Sequence, residues 1–206
     1  MANDAEKFIR FCESDFGKRV LKKDVEFVYR ELKDCKRILD VGCGIGQFEQ
    51  LLPSLNIIGL DSYGEMLEEA RKRSIKTFVL GNAENLSFDD NQFDAVFYVA
   101  TLEFIGDYQK AIQEAYRVTK PNGKILVMML NPESEYFKEH MQREDSYFRK
   151  VQHTNLSEIE AYIARFYRID RKEYFLGIKG QQVFDTAGKR AASLCVVVGR
   201  KKQKDK

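Results

Sequence analysis

The sequence predicts an α/β protein in which a mostly parallel β-sheet is covered by helices on both faces. Five short, continuous apolar runs alternate with amphipathic segments between residues 37 and 130, which is the pattern of strands buried on both sides. The first run ends in closely spaced glycines and the second ends in an acid. The last forty residues lack the alternation. These observations predict a doubly wound sheet whose final edge is built differently.

The chain is expected to begin with two helices over residues 4–34. A break between them is expected at Asp15-Phe16-Gly17, because glycine favours a turn. Apolar residues recur at helical spacing on both sides of this break. The first stripe is Phe8, Phe11 and Cys12, and the second is Val20, Leu21, Val25, Val28 and Leu32.

The alternating region follows. Its five apolar runs predict strands over Arg37–Val41, Asn56–Leu60, Ile75–Leu80, Phe93–Val99 and Lys124–Leu130. Helices are predicted between them over Phe48–Leu52, Tyr63–Arg73 and Asp107–Thr119, and a turn at Pro121-Asn122-Gly123.

The end of the chain has a different pattern. One helix is predicted over 133–151 and another over 156–165, with Ser157 as its N-cap. Tyr167–Leu176 and Ala192–Gly199 are predicted to be strands that pair antiparallel at one sheet edge, separated by a long loop. The basic tail KKQKDK is expected to be solvated.

Composition limits the function. The 206 residues suit one domain, and a net charge of +2 gives no field suited to a nucleic-acid backbone. No apolar run is long enough for a membrane helix, and the acidic N-terminus does not resemble a signal peptide. Four cysteines without a CxxC pair, with two histidines, argue against a zinc site or a disulfide framework. The expectation is a cytoplasmic protein with reduced thiols.

The most informative stretch is ILDVGCGIGQ, in which Gly42, Gly44 and Gly46 follow the first strand. Glycines there let the backbone turn sharply and approach a ligand. A nicotinamide dinucleotide fold favours a third glycine at position 47, where this chain has Gln47. Asp61 ends the second strand and can accept hydrogen bonds from both hydroxyls of a ribose. Taken together, the loop and Asp61 predict a nucleoside-containing cofactor. Taken alone, the loop could be a plain strand-to-helix turn, and Asp61 could be a cap at the start of a loop.

The glycine loop, Asp61 and the motifs that follow them resemble those of class I S-adenosylmethionine-dependent methyltransferases, in their broad small-molecule branch. The resemblance rests on five motifs in matching order, strongest over residues 36–130: ILDVGCGIG, GLDSYGEML, GNAENLSF, FDAVFYVATLEFI and RVTKPNGKILVMML. It implies a Rossmann-like, seven-stranded sheet with the last strand antiparallel beside the fifth. The chain then divides into a helical lid at 1–34, a cofactor-binding core at 35–130, a helical substrate cap at 131–166 and final antiparallel strands at 167–200.

The resemblance also implies where S-adenosylmethionine would bind, with S-adenosylhomocysteine as product. Asp40 would lie near the methionine amino group, and Asp61 would hold the ribose. Met66 could instead belong to the core, and Asn82 could instead cap a turn. The full implied set is Asp40, Gly42, Cys43, Gly44 and Gly46 around the methionine portion, Asp61, Ser62, Met66, Asn82 and Ala83 around the nucleoside, and Val99 and Ala100 at the sulfonium end.

No residue is assigned as a general base. Many relatives carry Leu-Glu-His after the fourth strand, whereas this chain has Leu102-Glu103-Phe104. Phe104 cannot move a proton, and Glu103 is expected to be structural, bonding the backbone near the glycine loop, rather than catalytic. The proline-rich motif of nucleic-acid amino-methyltransferases is absent from YVATLEF, which argues against a nucleic-acid substrate.

The acceptor pocket is expected between Phe8–Lys22 and Asn131–Asn155, acting as lids. The substrate-side candidates are Phe16, Phe104, Tyr136, Phe137 and His140. The alternative is that these aromatic residues have no role in binding and form the apolar face of a covering helix. Since an activated donor needs mainly positioning and water exclusion, the sequence predicts in-line methyl transfer to a small molecule. No metal, nucleic acid or membrane is expected. The alternatives are a non-catalytic cofactor-binding protein and a protein or RNA methyltransferase.

Overall fold

The computed structural model describes residues 4–203, in which a single mixed sheet lies between two layers of helices. The expectations for the extreme N-terminus and the end of the basic tail fall on residues 1–3 and 204–206, outside the described residues. The helices are α1 (Asp4–Glu13), α2 (Asp15–Leu32), α3 (Gln47–Leu51), α4 (Gly64–Arg73), α5 (Tyr108–Val118), α6 (Glu135–Met141) and α7 (Leu156–Phe166). The strands are β1 (Ile38–Val41), β2 (Ile57–Asp61), β3 (Thr77–Leu80), β4 (Phe93–Val99), β5 (Thr119–Leu130), β6 (Tyr167–Lys179), β7 (Gln182–Phe184) and β8 (Ala192–Lys201).

The sheet has the order β3-β2-β1-β4-β5-β8-β6-β7. The five strands from β3 to β5 are parallel, and β8, β6 and β7 continue the sheet by antiparallel pairing. Leu130 of β5 pairs with Leu194 of β8, so the last strand lies antiparallel beside the fifth, as the resemblance implied. Because the strand order reverses between β1 and β4, the carboxyl ends of these two strands border the crevice where such sheets bind ligands.

Successive strand residues face opposite sides of the sheet and are buried on both. Leu39, Val96 and Val127 pack under α5 and α7 on one face. Ile38, Phe97 and Leu126 pack under α2 and α3 on the other. This double coverage explains why the strands are continuous apolar runs.

The strand count is one more than the expected seven. Gly180, at φ +57°, turns the chain after β6, and Gln182–Phe184 returns along it with Gly177 opposite Phe184. Three residues are too few to show a periodicity that predicts a strand, so the expectation of a plain loop there was wrong.

The first helix break lies at Ser14, before the expected tripeptide. The hydroxyl of Ser14 accepts a hydrogen bond from the Gly17 N–H, which makes Ser14 the N-cap of α2. Gly17 therefore lies inside the first turn of α2. A Cβ there would come within 1.9 Å of the Phe11 carbonyl oxygen, so glycine is required by close approach rather than by a turn.

Three further expectations differ in detail. The expected helix over 133–151 is split into α6 and a 3₁₀ turn at Tyr147–Lys150, because Ser146 bonds the Phe148 N–H and caps the second piece. The N-cap position of α7 is Asn155 rather than Ser157. The Pro121-Asn122-Gly123 turn is a bulge within β5, where pairing with β4 shifts register.

Candidate functional site

The glycine loop joins β1 to α3 at the crevice. Gly42, Gly44 and Gly46 have φ of +80°, +54° and +71°, the left-handed region that side chains disfavour. A Cβ on Gly42 would also lie 2.2 Å from Cγ2 of Thr101. The amides of Gly42 and Cys43 donate to the Leu60 carbonyl at 2.7 and 3.0 Å. The loop is thus tied to β2 and open to a ligand on its other side.

A buried acidic group lies below this loop. Asp40 is 1% exposed, and its Oδ2 has no hydrogen-bond partner within residues 4–203. Burial, reinforced by the charges of Glu49 and Asp61, raises the pKa of Asp40 well above its usual range. Burial also raises the pKa of Glu49 to about 7. An unpartnered carboxylate beside an open backbone cradle fits a ligand that brings an ammonium group.

Asp61 links β2 to the glycine loop. Its Oδ2 accepts the Gly44 N–H at 2.8 Å, and its Oδ1 accepts the Tyr63 N–H at 2.9 Å. Burial raises the pKa of Asp61 against the opposing effect of these backbone hydrogen bonds. Each carboxylate oxygen has a further lone pair, so the same side chain can hold the loop and accept a hydroxyl.

The other nucleoside-side candidates gather beside Asp61. The Gly81 amide donates to the Asp61 carbonyl at 3.0 Å, which places the segment after β3 next to β2. There Asn82 is exposed and Ala83 buried, and the Asn82 Oδ1 accepts the Glu84 N–H at 2.8 Å, the turn-capping arrangement. Ser62 is exposed, and Met66 on α4 is half-buried. These residues can form one face of a nucleoside site.

The segment after β4 forms the opposite rim. Val99 and Ala100 are half-buried, and Ala100 has a φ of +47°, which is uncommon for a residue with a side chain. Buried Glu103 accepts the Leu130 N–H at 2.7 Å, so it joins this segment to the end of β5 rather than to the glycine loop. Burial raises the pKa of Glu103 to about 7.

A cavity of about 370 Å³ lies between this rim, the glycine loop and the two predicted lids. Its wall includes residues of the glycine loop, of the segment after β4 and of the ends of β6 and β8. Aromatic rings occupy much of the remainder. They are Phe8, Phe11, Phe48, Phe104, Tyr136, His140, Tyr147 and Phe148.

The two predicted lid segments contact each other and the loop. The ring of Phe8 on α1 lies over Gly44, where a Cβ would be 3.4 Å from it. The rings of Phe16 and Tyr136 meet edge to face at 6.3 Å. At the rim, the Lys7 Nζ bonds the carbonyl oxygen of Asp145 at 3.2 Å. The residues before β1 and after β5 therefore cover one cavity together.

The substrate-side candidates occupy two different positions. Phe104, Tyr136 and His140 line the cavity, where Phe104 packs against Tyr147 at 4.9 Å. Phe16 packs between Phe11 and Tyr136, and Phe137 is buried against Phe148 in the core below.

The two histidines are held in different ways. Burial lowers the pKa of His140, whose ring stacks on Phe148 at 4.5 Å. The His153 Nε2 lies 2.9 Å from the Ile105 carbonyl oxygen, so this ring ties the segment after β5 to the one after β4. No group of three His, Cys, Asp or Glu placed to hold a metal occurs among residues 4–203. Within the same range, no helix has the length and apolarity to cross a bilayer.

Two polar residues of the cavity were missed from the sequence, Asp24 on α2 and Ser193 on β8. Both are buried. For Asp24 a signal was available, since it lies four residues from Val20 and from Val28 in the apolar stripe of α2. Ser193 gave no such signal, because a serine within a strand is common.

Comparison with known proteins agrees with this geometry. Residues 39–127 match the family model described as a methyltransferase domain. A demethylmenaquinone methyltransferase from Thermotoga maritima is 36% identical over 102 residues, which are 47% of this chain and 44% of that protein. A ubiquinone/menaquinone biosynthesis C-methyltransferase from Rickettsia prowazekii is 35% identical over 127 residues, 54% of this chain and 51% of that protein. The chain thus spans about half the length of these curated relatives.

A solved structure from Thermotoga maritima superimposes with a TM-score of 0.81 and 24% identity, covering 97% of this chain and 96% of that one. That protein is described as a S-adenosylmethionine-dependent methyltransferase and possible histamine N-methyltransferase. At this identity the likeness shows the fold alone.

Proposed function

We propose that this chain, whose residues 39–127 match the methyltransferase domain model, is an S-adenosylmethionine-dependent methyltransferase acting on a small-molecule acceptor. The observation that carries the proposal is the left-handed glycine loop, which borders a cavity covered by the two predicted lids and follows buried Asp40, whose Oδ2 has no hydrogen-bond partner among residues 4–203. A loop of this kind favours close backbone approach, and Asp40 favours a cationic group.

Different residues would contact different parts of the donor. Asp40 and the backbone of Gly42, Cys43 and Gly44 would hold the methionine portion, and Asp61 the ribose. Ser62, Met66, Asn82 and Ala83 would border the adenine. Val99 and Ala100 would face the sulfonium end. The bound donor supplies a methyl group already activated on a sulfonium.

The chain's own residues then position the acceptor and exclude water. Phe104 and Tyr136 provide apolar walls, and the contacts of α1 and α2 with the segment after β5 cover the cavity. No residue is assigned as a general base, which suits an acceptor that is already nucleophilic. A volume of about 370 Å³ is at the small end of the range for ligand sites, and part of this cavity would hold the donor. The space that remains suits only a small acceptor.

Two measurements test the proposal. Calorimetry is expected to give one site for S-adenosylhomocysteine and none for NAD. Incubation with labelled methyl donor and extract of the source cells, followed by mass spectrometry, is expected to yield a labelled small molecule. Binding without turnover would favour a non-catalytic cofactor-binding protein, and label found only in protein or RNA would overturn the small-molecule assignment.

A further inference from the structure

Two buried polar atoms in the cavity wall lack a protein partner. Asp24 is 8% exposed and Ser193 is 3% exposed. Neither the Asp24 Oδ1 nor the Ser193 Oγ has a hydrogen-bond partner in the part of the chain that the structure describes. Buried polar atoms in native proteins are nearly always hydrogen-bonded. Two orphans in one cavity indicate a ligand that satisfies them.

These two residues lie at the end of the cavity away from the glycine loop. On α2, Phe27 is about one turn from Asp24, and its ring packs at a tilt of 59° against Phe175 of β6, with the ring centroids 4.7 Å apart. The adjacent Lys23 bonds Asp185, just after β7, at 2.9 Å. Ser193 lies on β8. Since β8 and β6 are the third and fourth strands from β1, and neighbouring strands are about 4.8 Å apart, this end is well separated from Asp40.

The surroundings favour a cation over an anion or a neutral group. The rings of Tyr136, Phe148 and Tyr147 line the same cavity, and aromatic faces attract cations. Lys7 and Arg143 also line it, but Lys7 bonds the Asp145 segment and Arg143 is exposed at the rim. Within residues 4–203, no cationic side chain forms an ion pair with Asp24, and the neighbouring Lys23 pairs with Asp185 instead.

Burial alone raises the pKa of Asp24 to about 8, since no charged group or hydrogen bond opposes it. A lone buried carboxylate is unfavourable, and an approaching cation removes much of that cost. The same carboxylate would repel an anionic ligand. The geometry and the electrostatics therefore both favour a cationic ligand.

We propose that Asp24 and Ser193 bind a protonated nitrogen of the methyl acceptor, so that the acceptor is a small amine. This inference rests on the proposed function, because only a methyltransferase has a methyl acceptor. The bound nitrogen is an anchor, because it lies near β6 and β8, whereas the sulfonium end faces Val99 and Ala100 after β4. No bond to this nitrogen forms or breaks in the step.

Calorimetry on protein saturated with S-adenosylhomocysteine tests this. The probes are 2-phenylethylamine and 4-phenylbutylamine, each compared with its uncharged alcohol. We expect each amine that binds to do so at least tenfold more tightly than its alcohol. Asp24→Asn should reduce that preference below threefold, and Ser193→Ala should weaken amine binding severalfold. Glu26→Gln, which removes an exposed carboxylate from the same helix, should leave the preference unchanged.

The outcomes separate the two proposals. Amines that bind no better than alcohols, or a preference that survives in Asp24→Asn, would overturn the amine assignment and leave the methyltransferase proposal intact. Loss of S-adenosylhomocysteine binding in Asp24→Asn would place Asp24 in the cofactor site and also overturn it. Wild-type protein that binds no S-adenosylhomocysteine would overturn the proposed function instead, and the amine titration is then read on the free protein. Asp24→Leu serves as a second variant, because an apolar side chain removes the charge without leaving a buried polar group.

Discussion

The Oδ2 atom of Asp61 accepts a 2.8 Å hydrogen bond from the backbone N–H of Gly44. The acid that ends β2 therefore holds the glycine loop that follows β1. A residue predicted from the sequence to bind a ribose therefore also fixes the shape of the glycine loop. Substitution of Asp61 thus tests both roles.

Asp61→Ala leaves the Gly44 and Tyr63 N–H groups without their acceptor and removes the proposed ribose contact. We expect the affinity for S-adenosylhomocysteine to fall about ten- to a hundredfold, equivalent to roughly 1.5–3 kcal/mol. Calorimetry measures the loss. Asp34→Ala removes an exposed acid and should have no effect. Unchanged affinity in folded Asp61→Ala would refute the role of this residue.

Gly42→Ala tests the loop itself. The new Cβ would lie 2.2 Å from Thr101 at a φ of +80°, and strain of this kind costs about 1–3 kcal/mol. We expect a lower melting temperature and at least tenfold weaker S-adenosylhomocysteine binding. Gly64→Ala is the matched control, because a Cβ there meets nothing within 4 Å. If the two variants behave alike, the loop does not depend on this glycine.

Phe104→Leu tests whether the segment after β4 supplies a base. Phe104 packs against Tyr147 and cannot titrate, so the shape of the pH–rate profile should not change. Loss of the aromatic contact should raise the KM for the acceptor about two- to tenfold. Phe88→Leu, in the core on the other sheet face, should leave KM unaltered. A new ionisation in the Phe104→Leu profile would contradict the assignment.

Asp24 should make stability depend on pH. Its pKa is about 8 in the folded state, against about 3.9 for an exposed aspartate. The folded state therefore holds a proton that the unfolded state releases between these values, and stability falls as pH rises from about 4 to 8. The Asp24→Asn variant has no titrating group at this position, so it should not lose stability in this way. Its unfolding free energy should equal that of wild type near pH 4 and exceed it by a few kcal/mol at pH 8.5.

Urea unfolding at a series of pH values measures this difference. Asp40, Glu49 and Glu103 also have raised pKa values and act in the same direction, so the difference between the two proteins is the informative quantity. Glu26→Gln should follow wild type throughout. A constant difference across pH would mean that Asp24 titrates normally.

The lid segments should respond to the cofactor product. Phe8 lies on Gly44, and Lys7 joins α1 to the segment after α6. Hydrogen exchange with S-adenosylhomocysteine is therefore expected to slow over residues 8–22 and 131–155 as well as in the glycine loop. The helix α7, which packs on the other face, serves as reference. Protection confined to the glycine loop and Asp61 would show that these segments are fixed scaffold.

The central fold was predictable because its signals are local. Phe93–Val99 is continuous and apolar, and β4 has these same bounds. The match of residues 39–127 to the methyltransferase domain family confirms the resemblance drawn from the motifs. The errors occur where local signals are weak or compete. Gln182–Phe184 is too short for periodicity, and Ser146 divides the expected helix over 133–151.

The site was predictable only in part. Glycines at 42, 44 and 46 have a backbone requirement that the sequence expresses directly, and the structure gives all three left-handed φ values. The bonding of Asn82 to the Glu84 N–H and of Glu103 to the Leu130 N–H depends on neighbours that sequence spacing does not specify. Phe16, Phe104, Tyr136, Phe137 and His140 were indistinguishable as aromatics in apolar faces, and packing alone divided them between cavity wall and core.

The sequence by itself determined the alternation of strands and helices, the glycine loop and the acid at the end of β2, because period, chain direction and backbone freedom are properties of adjacent residues. Only the tertiary structure decided that Asp24 and Ser193, 169 positions apart in the chain, line one cavity, and that the Asp24 Oδ1 and the Ser193 Oγ have no hydrogen-bond partner among the described residues. Burial and the absence of a hydrogen-bond partner depend on every element that packs around a group. The physical reason is that a buried charge is defined by its surroundings, which are assembled from distant parts of the chain.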